Sequence, residues 1–286
     1  MRKPVVFAAC GAVLMSAFAA HADFDKPEVK RWTKMEVNDQ GELKEVKYMT
    51  IDGIMVHEDD PAIVPQPKVV DPGPAPAGDF IAAAPSDAIV LFDGTSLDNW
   101  TATDGTPTKW ILKDGAMQPT EGSGYIQSKQ EFGSVQLHVE FQTPAQVEGD
   151  GQGRGNSGVF LMGQYEIQVL DSYNNTTYPD GQCAALYGRH IPLVNACRKP
   201  GEWQSYDIIF HRPIFEGDKV VKRATFTVLH NGVLVHDHVE LTGGTGWEGG
   251  SSISEYVPHG DTGPIQFQDH GNPVNFRNVW VRPLAD

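Results

Sequence analysis

A chain of 286 residues, 40% hydrophobic and 9% aromatic, has enough apolar material for the core of one large domain or two small ones. Its formal charge of -15 makes it a poor partner for nucleic acid, whose phosphates call for the opposite sign. Beyond the N-terminus no apolar run approaches the length of a membrane-spanning helix, so the sequence predicts a free exported protein without membrane insertion.

Residues 1–22 read as a signal peptide. Arg2 and Lys3 precede an apolar run from Val5 to Ala20, and Ala20-His21-Ala22 carries the small-x-small pattern of a cleavage site. Cleavage after Ala22 predicts a periplasmic or secreted protein beginning at Asp23 and more acidic than its precursor, because the leader removes only basic charge. A lipoprotein reading through Cys10 puts the cysteine too early in the apolar stretch. Residues 23–87 read as an N-terminal arm. Within it, "LKEVKYMTIDGIMVHEDD" predicts one hairpin around Asp52-Gly53. The stretch from Asp59 to Pro85 is dense in Pro and Ala, which block both helix and central strand, so it predicts an extended linker or wrapping arm.

Residues 88–286 alternate as short strands. "SVQLHVEFQT" places Val135, Leu137, Val139 and Phe141 on one face and Gln136, His138, Glu140 and Gln142 on the other, the period of a half-buried strand. Asn231-Gly232 and Asp114-Gly115 suit the tips of two hairpins, and "AIVLF", "SGVFLM", "YEIQVL", "YDIIF", "PIQFQDH" and "NFRNVWVRPL" read as further strands. No amphipathic helix of any length is evident. The pattern predicts an all-β sandwich, a jelly roll. Cys183 and Cys197 are the only cysteines left after cleavage, an even pair in an oxidising compartment, which favours a disulfide over two buried thiols.

Seven blocks occur in an order that resembles the 3-keto-disaccharide hydrolase domain family: "LFDGTSLDNW", "GNSGVFL", "YEIQVLD", "CAALYG", "KPGEWQSYDIIF", "LHNGVLVHD" and "GPIQFQDHGNPVNFRNVWVRPL". The resemblance runs from Ala88 to Leu284. It implies a concanavalin A-like jelly roll, an exported location, and hydrolase or lyase action on glycosides already oxidised to a ketone at C3.

Glu166 and Gln168 share a face of their strand, whereas Asp171 falls on the opposite one unless the strand bulges. Retaining glycosidases need carboxyl groups about 5 to 5.5 Å apart, and residues five apart on a strand start more than about 13 Å apart, which argues against direct glycoside hydrolysis by Glu166 and Asp171. A 3-keto sugar asks for less. Its ketone acidifies the C2 proton, so one base starts a β-elimination, and water then adds to the enone. Glu166 and His270 are the candidate acid/base groups, the latter sharing a strand face with Gln268 if that strand continues to Gly271. Asp171 is a third candidate. Arg154, Asn156, Gln168, Gln268, Tyr187 and Arg189 are candidate sugar or enolate contacts. The glycines around Arg154 match G-x-G-x-x-G only formally, since a strand follows them instead of a helix. His236 and His238 suit an exposed polar face better than a metal pair, and Trp203 and Trp100 read as buried. A divalent cation is compatible with an enolate site but no ligand set specifies one. A carbohydrate-binding module and a laminarinase-like endo-glycosidase are the alternative readings.

Overall fold

The computed structural model describes residues 28–37, 41–51, 54–57, 66–75, 83–246 and 255–286. The expected signal peptide and the Asp52-Gly53 turn lie outside the described residues. At the N-terminus β1 (Val29–Val37), β2 (Leu43–Ile51) and β3 (Ile54–His57) form an antiparallel sheet. The single predicted hairpin thus gains a strand. β1 pairs with β2 along its full length, and the cross-strand partners Trp32 and Tyr48 stack with ring centroids 5.5 Å apart.

The remaining chain is a two-sheet sandwich. The larger sheet has the order β18 (Val233–Glu240), β17 (Thr225–His230), β14 (Gln204–His211), β10 (Val135–Gln142), β20 (Asn275–Pro283), β8 (Ala116–Gln118) and β7 (Ile111–Lys113), with β5 (Ile89–Phe92) also on β20. The smaller sheet has the order β12 (Tyr165–Val169), β11 (Ser157–Leu161), β19 (Gly263–Phe267), β9 (Ile126–Phe132) and β6 (Trp100–Ala102). β15 (Ile214–Glu216) and β16 (Lys219–Lys222) pair separately. The odd-numbered positions of both patterns meet between the sheets: Val135, Leu137, Val139 and Phe141 of β10 belong to one core with Val159, Ile167 and Phe267 of the smaller sheet. Trp100 joins that core, its ring stacked 5.1 Å from Phe267 and its indole N–H donated to the Leu91 carbonyl. This is the predicted all-β jelly-roll sandwich. Among the described residues the only helical pieces are two 3₁₀ turns, and no helix is long and apolar enough to cross a membrane.

Local chemistry sets the connections. His230 pairs with Val233 across Asn231 and Gly232, whose φ angles are 53° and 79°, the left-handed pair that a two-residue hairpin of this twist requires. Lys113 and Ala116 close Asp114-Gly115 in the same way, at 51° and 74°. Residues 66–75 of the Pro-rich stretch run along the sandwich. There β4 (Lys68–Val69) pairs in parallel with β13 (Val194–Asn195), and the Arg198 guanidinium donates to the Gly73 and Pro74 carbonyls.

Several details depart from the sequence reading. The polar face of β10 is not solvated: His138 and Glu140 are buried in an ionic network with Asp207 and Arg277. Burial opposes a charge on His138, but the two carboxylates outweigh it and raise its pKa to about 9. Trp203 is half-buried and lies flat on the Arg277 guanidinium at 4.0 Å. His236 is buried, not exposed; it hydrogen-bonds the Ala184 carbonyl at 2.7 Å, while His238 sits at a bulge with φ 48°. Cys183 and Cys197 are buried free thiols, which corrects the expected disulfide. The two thiols hydrogen-bond each other and each has a further partner: Cys183 Sγ meets the Tyr206 hydroxyl at 3.1 Å, and Cys197 Sγ accepts from the Gln204 amide at 3.4 Å.

Candidate active site

The outward face of the smaller sheet carries the polar positions that alternate with the core. Antiparallel register aligns them in rows. Phe160 stands opposite Glu166 on one side and Gln266 on the other, and Gln127 stands opposite Gln266. A parallel row has Gly158 opposite Gln168, with Gln268 continuing the ladder through its N–H to the Gly158 carbonyl. The row is completed by Tyr125, whose hydroxyl accepts from the Gln268 amide at 2.6 Å. Residues 184–187 extend the sheet beyond β12. Ile167 bridges Leu186, and the Tyr187 N–H donates to the Glu166 carbonyl at 3.2 Å, so Tyr187 is the direct cross-strand neighbour of Glu166 on the outward face.

Glu166 is 6% exposed, and among the described residues no hydrogen bond reaches its carboxylate. Burial without compensation pushes its pKa up to about 8. The carboxylate leans over Gly158, where any Cβ would collide with it. That is the physical reason for glycine at this point of "GNSGVF". Three tyrosine hydroxyls feel its charge: Tyr125, Tyr178 and Tyr187, all of which burial and the Glu166 carboxylate hold above the ordinary phenol range. Tyr178 and Tyr187 hydrogen-bond each other at 2.8 Å. Close by, Asp180 is 2% exposed with one carboxyl oxygen unpartnered, and burial raises it to about 7.

The other predicted residues fall elsewhere. β12 ends at Val169, so neither an unbroken strand nor a bulge brings Asp171 beside Glu166. Asp171 instead accepts from Arg154 Nε at 2.7 Å and from the Tyr173 N–H at 3.1 Å. The pair lines a cavity of about 340 Å³ at the end of the sandwich, with Pro144, Val147, Gly271 and Asn272 among its walls; Glu166 is not one of them. Its walls carry two carboxylates, Asp171 held by Arg154 and Glu148, and it is separate from the outward face around Glu166. β19 stops at Phe267, which removes the shared face expected for Gln268 and His270. Asp269 takes up a turn with Gly271 and caps Ser123, leaving His270 exposed with no hydrogen bond among the described residues. Asn156 is buried, its amide donated to the Gln152 carbonyl, and Arg189 spends its guanidinium on the Gly244 and Gly188 carbonyls. Both serve loop backbone in place of the expected sugar contacts. Gln168 stays beside the site, its amide on Gln152 and its carbonyl oxygen unpartnered.

A family model for the 3-keto-alpha-glucoside-1,2-lyase-like domain matches residues 87–282. The chain belongs to this family. Over 234 residues it is 26% identical to a 3-keto-disaccharide hydrolase of Bacteroides thetaiotaomicron, a match covering 68% of this chain and 78% of that one. A crystal structure from Parabacteroides distasonis, provisionally described as a glycosyl hydrolase, is 46% identical with a TM-score of 0.67, covering 70% of this chain and 85% of that one. Membership in the 3-keto-alpha-glucoside-1,2-lyase-like family makes this a glycoside-acting enzyme with a carbohydrate substrate.

The family block "YEIQVLD" thus contributes Glu166 and Gln168 to the outward face and sends Asp171 away from it. Tyr125, Phe160, Tyr178 and Asp180 escaped the sequence reading. Tyr125 was within reach, since it immediately precedes β9 and stands two residues before Gln127, whereas the Tyr178–Tyr187 contact depends on a loop folding back across nine residues. Among the described residues no group of three or more His, Cys, Asp or Glu side chains is placed to hold a metal ion.

Proposed function

We propose that this protein is an exported enzyme that cleaves the glycosidic bond of 3-keto-glycosides, 3-keto-disaccharides among them, by removing the C2 proton and expelling the C1 substituent. The observation that carries this reading is the Glu166 carboxylate: buried, without a hydrogen-bond donor among the described residues, and set on an open polar face. A carboxylate raised to about 8 is a far stronger base than a solvated one, and the ketone makes the C2 proton acidic enough for it. Tyr125 supplies the complementary donor. Its oxygen already accepts from Gln268, which leaves its own O–H to donate to the C3 oxygen as that oxygen gains charge. Phe160, tilted against Tyr125 with centroids 5.7 Å apart, offers an apolar surface to the C–H face of the sugar. The relative named for 3-keto-disaccharide hydrolysis supports the same substrate class.

The test is the primary isotope effect at C2. A 3-keto-glycoside deuterated at C2 should turn over severalfold more slowly than the protiated substrate, and Glu166→Gln should lose about 100- to 10,000-fold in kcat. No isotope effect together with an active Glu166→Gln variant would remove both the step and the residue.

A further inference from the structure

Elimination leaves the departing oxygen in need of a proton, and Glu166, having just taken one from C2, is spoken for. We propose that Tyr187, hydrogen-bonded to Tyr178, is the second proton-transfer residue: it protonates the leaving oxygen during elimination and takes a proton from water during hydration. This rests on the 3-keto-glycoside reading above.

The geometry is specific. Tyr187 sits directly across from Glu166 in an antiparallel pair, which sets their Cβ atoms about 4.5–5.5 Å apart on one face. The Tyr187 hydroxyl lies within electrostatic reach of the Glu166 carboxylate. Its position is fixed on three sides. The Tyr187 N–H is bound to Glu166, its carbonyl accepts from the Gly246 N–H at 3.1 Å, and its hydroxyl meets Tyr178 at 2.8 Å. Tyr178 in turn fits because Gly181 has no Cβ, which would otherwise occupy the Tyr178 ring. The shared hydrogen bond eases ionisation of Tyr187 and resists that of Tyr178, while burial keeps Tyr187 protonated until it is used. The same loop places Asp180 within electrostatic reach of both hydroxyls. Burial pushes it toward the neutral form, so it adds less negative charge beside the phenolate that must form.

The cycle balances. The Glu166 carboxylate takes the C2 proton and the electron pair moves into the C2–C3 bond, forming the enolate. The C1–O bond then breaks, its electrons leave with the oxygen, and that oxygen takes the Tyr187 proton. The sugar is now an enone, Glu166 is protonated and Tyr187 is a phenolate. Water adds to C1, giving its proton to Tyr187, while Glu166 returns a proton to C2. Both side chains end as they began, and the net reaction is hydrolysis. Release of the enone before water adds gives lyase action from the same two residues.

Leaving-group dependence tests this. The probes are methyl and 4-nitrophenyl 3-keto-glucosides, the second of which leaves without protonation. Tyr187→Phe should lose about 100-fold or more on the methyl glycoside and less than about tenfold on the nitrophenyl one. Tyr178→Phe should show the same pattern at smaller amplitude, and it decides the question if Tyr187→Phe fails to fold by thermal unfolding. Equal losses on both probes, or full activity on the methyl glycoside, would overturn the assignment. Glu166→Gln distinguishes the underlying reading, because it should lose activity on both probes alike; if the wild-type enzyme cleaves neither probe, the substrate class itself is wrong.

Discussion

Gly158→Ala is the most informative single change. An alanine Cβ at this position would lie 2.9 Å from the edge of the Phe160 ring and 3.1 Å from the Glu166 carboxyl carbon, and closer still to a carboxylate oxygen. Carbon contacts are at their optimum at about 3.5–4.0 Å, so both groups must retreat by at least about half an ångström, and the carboxylate oxygen by about 1 Å. A misplacement of that size costs on the order of 100-fold in rate, or about 2.7 kcal/mol of activation free energy. The fold should survive. Gly158 is a strand residue without a left-handed φ, and both obstructing groups are side-chain ends facing outward. Replacing a strand glycine also gains about 0.5–1 kcal/mol of backbone entropy. Initial rates on a 3-keto-glycoside, with thermal unfolding as the control, should show kcat down about 100-fold at an unchanged or higher Tm. A variant within about threefold of wild type would mean that Glu166 is not held over Gly158 during the reaction.

Glu166 also imposes a pH dependence of definite sign. As a base it acts ionised, so kcat/KM should rise as pH increases through about 8. Its folded pKa lies above the unfolded value, so the stability tied to its neutral form is complete below pH 4.5 and is lost as pH rises through about 8. Glu166→Gln should therefore gain stability relative to wild type between pH 5 and 9, by a few kcal/mol in order of magnitude, and parallel unfolding curves across that range would refute it. Alkylation in denaturant without reductant should modify both Cys183 and Cys197, whereas the native protein should resist, because both thiols are buried. A mass corresponding to an oxidised pair would restore the bridge.

Much of the fold was legible because alternation and turn chemistry are local. Val135 to Phe141 announced an inward face, and Asn231-Gly232 a hairpin, from neighbouring residues alone. Which of the outward residues met each other was a different matter. The polar face of β10 reads as solvated, but His138 is buried by partners from β14 and β20 that no local pattern reveals. The site divides the same way. Glu166 and Gln168 follow from period two, while the end of β12 at Val169 and of β19 at Phe267 withdrew Asp171 and His270 from their expected places. Arg189 and Asn156 have the right chemistry for a sugar, yet loop carbonyls claimed them first. Tyr187 reads from the sequence only as a sugar contact, whereas the backbone register sets it across from Glu166.

The central claim is that cleavage requires the ketone. Purified protein given a plain disaccharide and its 3-keto derivative side by side should release free sugar from the keto form alone, with Glu166→Gln inactive on both. Cleavage of the plain disaccharide at a comparable rate would contradict the account, since nothing then depends on an acidified C2 proton.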